Sequence, residues 1–160
     1  MKNRVNILIV DNNHAKNSER ERIIKENNIS SEVKIAMNAG HALLYLDHIH
    51  LNKKIHDSHL VVILNMETPI SNGYDFLNAY NHSSNLRKDR IHIIVVNENL
   101  CEEKQAKIKK HGVSDFIPDA FPANMVREFI ESRFEESPGP RKVQKVRNDN
   151  FRTQGAASGL

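Results

Sequence analysis

The sequence predicts an α/β domain in which a doubly wound, five-stranded parallel sheet is sandwiched between two layers of helices. Two observations lead there. Short apolar runs rich in β-branched residues alternate with amphipathic stretches of helical length, five times over. The central runs are nearly continuous in apolar residues rather than alternating, which suits strands buried on both faces of a parallel sheet. Right-handed crossovers between successive parallel strands then distribute the helices over both faces and produce three layers.

Each element has its own signal. Residues 5–10 (VNILIV), 60–64 (LVVIL) and 91–96 (IHIIVV) are the buried strands, and the alternating 32–36 (EVKIA) is an edge strand. A shorter strand at 114–117 (SDFI) is expected to stop at Pro118. The first helix, 14–27, is highly charged and is expected to turn Ile23 and Ile24 inward. The second, 39–50, spaces Ala42, Leu43, Leu46 and Ile49 along one face,. The third, 73–81, carries Phe76, Leu77 and Tyr80. The fourth, 102–111, is charged and ends at His111-Gly112, a helix stop signal,. The fifth, 122–134, begins at Pro122 and is expected to bury Met125, Val126, Phe129 and Ile130,.

The bulk numbers exclude several classes. Apolar residues make up 39% and charged residues 27% of the 160, an ordinary globular balance,. No run approaches the roughly 18 apolar residues of a membrane span, and the short N-terminal apolar stretch reaches Asp11 without a secretory cleavage pattern,. The expected compartment is the cytoplasm. A single cysteine, Cys101, precludes an internal disulfide,. Nine histidines include a group at 41, 48, 50, 56 and 59, but without the i, i+4 spacing of helical metal ligands, so most are expected at the surface,. The repeating pattern ends near Phe134, so residues 1–134 form the predicted domain and 135–160 a flexible tail. The net charge is +3, and the tail residues Arg141, Lys142, Lys145, Arg147 and Arg152 make its segment 141–152 basic. Such a segment suits contact with an acidic surface, or simply a solvated terminus. Nucleic-acid recognition is not expected, because the tail is too short for a DNA-reading module with its own core.

In an open parallel sheet, ligands bind outside the carboxyl ends of the strands. Those ends carry Asp11-Asn12-Asn13, Asn65-Met66-Glu67-Thr68-Pro69, Asn97-Glu98-Asn99 and Asp119-Ala120-Phe121. Neither Asn38-Ala39-Gly40 nor Ser71-Asn72-Gly73 has the spacing of a glycine-rich phosphate loop,. The order of Val10-Asp11-Asn12, Asn65 with Pro69 and Gly73, the Asn38-Ala39-Gly40-His41-Ala42-Leu43 segment, and Gly112-Val113-Ser114-Asp115-Phe116-Ile117 resembles the receiver domain of two-component response regulators over about residues 5–134. The resemblance implies a flavodoxin-like (βα)5 fold and a place in phosphorelay signal transduction.

The departures from the family pattern fall on its chemistry. The resemblance implies an acidic pair where this chain has Asp11 and Asn12, and a phosphate-accepting Asp where Asn65 stands. It implies Thr or Ser at Asn97, and Lys at Asp119. A neutral amide is a poor nucleophile, and phosphoryl transfer needs a carboxylate, a coordinated Mg²⁺ and cationic groups around the moving oxygens. Asp119 is expected to invert the local charge, so that two anions face each other with no cation to receive phosphate. Asp11 and Glu67 are the carboxylates able to hold Mg²⁺ weakly; no other cofactor is expected. The expected role is therefore that of a non-enzymatic, atypical receiver acting through protein–protein contacts, with a histidine kinase, another regulator or a second copy of itself. The resemblance places the docking and switch face around Phe116. Two alternatives stand beside it: a phosphorelay carrier that accepts phosphate at another acidic residue such as Asp11, and a small flavodoxin-like nucleotide binder.

Overall fold

The computed structural model describes residues 5–30, 32–51, 58–66, 73–97 and 101–135. Five parallel strands form one sheet in the order β2-β1-β3-β4-β5. They are β1 (Val5–Val10), β2 (Glu32–Ala36), β3 (His59–Asn65), β4 (Ile91–Asn97) and β5 (Phe116–Pro118). The helices are α1 (His14–Glu26), α2 (Ala39–Leu51), α3 (Gly73–His82), α4 (Glu102–Lys109) and α5 (Ala123–Ile130), the last running into a π-helical turn, Glu131–Glu135. The predicted doubly wound α/β sandwich is the observed fold.

Strand alternation sends successive side chains to opposite faces, and the two faces build two cores. One gathers Leu8, Val10, Val62 and Leu64 under Leu46, Phe76, Leu77 and Ile108 from α2, α3 and α4. The other gathers Ile7, Ile9, Ile63 and Ile94 under Ile24 of α1 and Val126 and Ile130 of α5. Thus α1 and α5 lie side by side, and the Arg127 guanidinium joins them by donating to the carbonyl of Asn27.

Local signals account for most boundaries. The Asn13 side chain accepts from the Lys16 amide at 2.9 Å and caps α1, and Asn38 does the same for the amide of His41 in α2,. Gly112, at φ 91°, terminates the turn after α4 as its sequence position predicts,. Gly73 is required for contact rather than conformation. Its amide donates to the Met66 carbonyl at 3.0 Å, and a Cβ there would lie 2.5 Å from Met66 Sδ and 2.9 Å from Met66 Cα. Gly73→Ala must push α3 away from the end of β3, and we expect a loss of about 1–3 kcal/mol in urea unfolding.

Three expectations are corrected. β5 does end at Pro118 but begins at Phe116 rather than at Ser114, and Pro118 itself pairs in register with Asn97, which the edge position of β5 permits,. Met125 is 38% exposed, because Val126 and Ile130 already fill the α5 face toward the sheet. The apolar anchors at that end of the chain are instead Phe121 and Phe134, each 1% exposed. Finally, the buried stripe of α1 is Asn17, Arg20 and Ile24, with Ile23 only half-buried. A buried arginine on this highly charged helix is the feature that shapes the site.

Candidate functional site

The sheet order places the topological switch between β1 and β3, and Asp11 and Asn65 meet there at the carboxyl edge. The Asn65 amide, Nδ2, donates to Asp11 Oδ2 at 3.0 Å. Asp11 itself is 1% exposed. Its Oδ1 accepts from the Asn13 amide at 3.0 Å, its carbonyl accepts from Asn17 Nδ2 at 2.8 Å, and its own amide donates to Ala36 at 3.0 Å. Every polar atom of this residue is engaged.

Across the pocket, Asp119 follows β5. It is delivered by a turn in which the Phe121 amide donates to the Pro118 carbonyl at 2.9 Å and Phe121 takes a left-handed φ of 59°. That conformation is costly for a bulky residue and is held by burial of its ring in the core beneath α5,. Because α5 neighbours α1, the turn brings Asp119 within reach of the first helix.

Arg20 closes the gap. One guanidinium nitrogen, Nη1, donates to Asp11 Oδ2 at 2.7 Å, and Nη2 donates to Asp119 Oδ1 at 2.7 Å. Lys16, one turn earlier on α1, donates from Nζ to Asp119 Oδ2 at 2.5 Å. The Arg20 side chain is 2% exposed and that of Asp119 12% exposed. Burial works against the ionised form of Asp119, yet Lys16 and Arg20 together outweigh it and hold its carboxyl below the usual range,.

The expectation that this edge holds no cation is therefore corrected. The anions do converge, but α1 supplies two cations and the cluster of Lys16, Arg20, Asp11 and Asp119 neutralises itself. Sequence reasoning missed Arg20 because a charged helix face is normally solvated. The available signal was the helical spacing 17, 20, 24, which puts Arg20 on the stripe of Ile24.

The other predicted residues take these places. Asn12 is half-buried in the loop after β1, and Asn97 ends β4 on the same sheet edge, opposite Pro118. Phe116 is half-buried against the core beneath α2, α3 and α4. Glu67 and the tail residues Arg141, Lys142, Lys145, Arg147 and Arg152 lie outside the described residues. Among the histidines, His14, His41, His48 and His82 are exposed, whereas His59, His92 and His111 are half-buried.

The described residues of the pocket are a poor fit for a divalent cation. Mg²⁺ calls for several free oxygen ligands in an octahedral shell. Here Asp11 and Asp119 are committed to Arg20 and Lys16, and the described residues include no group of three or more His, Cys, Asp or Glu that could hold a metal.

The fold is flavodoxin-like, and solved receiver domains share it. A two-component response regulator from Cytophaga hutchinsonii superposes with a TM-score of 0.72 at 14% identity, over 82% of this chain and 98% of that one. A response regulator receiver protein from Dyadobacter fermentans gives 0.67 at 17% identity, over 81% and 97%. The receiver domain of a histidine kinase from Arabidopsis thaliana, solved in complex with Mg²⁺, gives 0.60 at 17% identity, over 78% and 90%. No family model matches the sequence, and no curated protein matches it. Among the described residues no helix is long and apolar enough to cross a membrane.

Proposed function

We propose that this chain is a receiver-type signalling module of a two-component pathway that works through protein–protein contacts, without phosphorylation of its strand-end pocket. The observation that supports this reading most is the Arg20 bridge between Asp11 and Asp119. Phosphoryl transfer needs an ionised carboxylate with a free lone pair aimed at phosphorus and uncommitted positive charge around the equatorial oxygens. Position 65 offers an amide. Asp11, the alternative acceptor, has both carboxylate oxygens engaged and is 1% exposed. The cations at hand are satisfied by the two carboxylates, so an incoming phosphate would have to break a buried ion pair. The module is not an enzyme and takes no cofactor. Its partner is a signalling protein such as a histidine kinase or another regulator, met in the cytoplasm, with the surface around Phe116 as the docking face.

Incubation of the full chain with acetyl phosphate and Mg²⁺, followed by intact-mass measurement, is expected to show no adduct of phosphoryl mass. Asn65→Asp, treated the same way, is also expected to remain unmodified, because Arg20 and Asp119 still occupy the pocket. A stoichiometric acid-labile adduct on the natural chain would overturn the reading. Affinity capture with and without residues 135–160 then identifies the partner and measures what the basic segment adds.

A further inference from the structure

The opposite end of the sheet holds a second cluster that the pocket does not use. His59 opens β3, and His92, the second residue of β4, stands beside Val61 on the sheet face covered by α1 and α5. Phe134, in the π-helical turn after α5, packs against both rings. Its centroid lies 4.3 Å from that of His59 and 4.6 Å from that of His92, and the two imidazoles are 5.8 Å apart. Nδ1 of His59 and Nε2 of His92 are buried and find no hydrogen-bond partner among the described residues.

That arrangement is tolerable only for neutral rings. A neutral imidazole can keep its proton on the other nitrogen and leave a bare lone pair in the apolar contact. The imidazolium carries N–H on both nitrogens, so protonation would bury a charged donor with nothing to accept it. The charges around the pair do little to help. Arg90, from the turn before β4, and His92 oppose a positive charge on His59, and Arg133, beside Phe134, opposes one on His92. Asp89 and Asp115 favour it, but Asp89 is paired with Arg87 at 2.9 Å and Asp115 with Arg133 at 2.5 Å.

We propose that His59, His92 and Phe134 form an acid-sensitive latch, in which protonation of either imidazole lifts Phe134 from the sheet and frees the C-terminal turn of α5. The latch is separate from the strand-end pocket and stands whether or not that pocket takes phosphate. In sequence, the basic segment 141–152 follows Phe134. Burial, aided by Arg90 and His92, lowers His59 to about 4 from its ordinary 6.5, and burial aided by Arg133 lowers His92 in the same direction. Because the closed form disfavours the proton, its stability is complete above pH 6.5 and is lost as pH falls from 6.5 toward 4. Linkage through His59 alone raises the open population about 30-fold between pH 8 and pH 5.

Imidazole ¹H–¹⁵N spectra and amide hydrogen exchange on the full chain test this from pH 8 to 4.5. The His59 and His92 rings are expected to titrate well below the ordinary imidazole value. Protection at residues 130–134 is expected to fall by about 30-fold or more at pH 5, after correction for intrinsic exchange. In the His59→Phe/His92→Phe double variant that fall should vanish. In Phe134→Ala both rings should titrate nearer their ordinary value. Should the double variant fail to fold, each single His→Phe variant must still reduce the pH dependence. Titration of both rings at the ordinary value, or an undiminished pH dependence in the His→Phe variants, would overturn the latch.

Discussion

Arg20→Met is expected to lower the unfolding free energy by about 3–5 kcal/mol at pH 7, the loss typical of removing one partner from a buried ion pair. The reasoning rests on burial. The side chains of Arg20, Asp11 and Asp119 are 2%, 1% and 12% exposed, so water cannot take over when the guanidinium is removed. Lys16 still reaches Asp119, and Asn65 still donates to Asp11, but neither neutralises the Asp11 carboxylate. Two further measurements separate charge from packing. Adding Asp11→Asn and Asp119→Asn to Arg20→Met should restore most of the lost stability, because the cost lies in uncompensated carboxylates. Lowering the pH toward 4 should narrow the deficit of the single variant, because Asp119, having lost one of the two cations that hold its carboxyl low, takes up a proton more readily,. Arg20→Lys should rescue only in part, since a single ammonium cannot reproduce a planar fork spanning two carboxylates. Equilibrium urea unfolding measures all three variants. An Arg20→Met chain within about 1 kcal/mol of the natural one would remove the observation on which the proposed function rests.

Phe121→Ala should be comparably damaging, at about 3–5 kcal/mol for a fully buried aromatic ring. The more telling result is its comparison with Phe121→Gly. At most buried positions glycine is the worse substitute, because it loses more backbone freedom on folding. Here φ is 59°, and the residue also precedes Pro122, which narrows its backbone further,. Alanine keeps the left-handed strain after losing the ring that sustained it, whereas glycine sheds both. Phe121→Gly should therefore be the more stable of the two by about 1 kcal/mol. Thermal and urea unfolding decide the order, and the reverse order would mean that the backbone relaxes once the ring is gone. Both variants loosen the turn that delivers Asp119, so the hydrogen exchange of α1 around Arg20 should rise in each.

What these residues do was legible to different degrees. Val61, Val62 and Ile63 announced a strand buried on both faces, because a continuous β-branched run has no solvent side to give up,. Gly112 announced a helix end, because its backbone conformation is one that few other residues accept. The neutrality of Asn65 at the end of β3 was equally readable, since an amide carries its lack of charge into any fold. The fate of Met125 was not readable, because helical spacing identifies candidates for the buried face and only the packed neighbours choose among them.

The sequence by itself determined the order of strands and helices and the carboxyl edge at which Asp11, Asn65, Asn97 and Asp119 would gather. These follow from local periodicity and from the chirality of crossovers, which act over a few residues at a time. Only the tertiary structure decided that Arg20 would lie between Asp11 and Asp119, and that Phe134 would settle over His59 and His92. Both contacts join segments far apart in the chain, 99 residues in the case of Arg20 and Asp119. A charge's energy depends on what surrounds it, and the surroundings exist only once α1 and α5 have packed side by side.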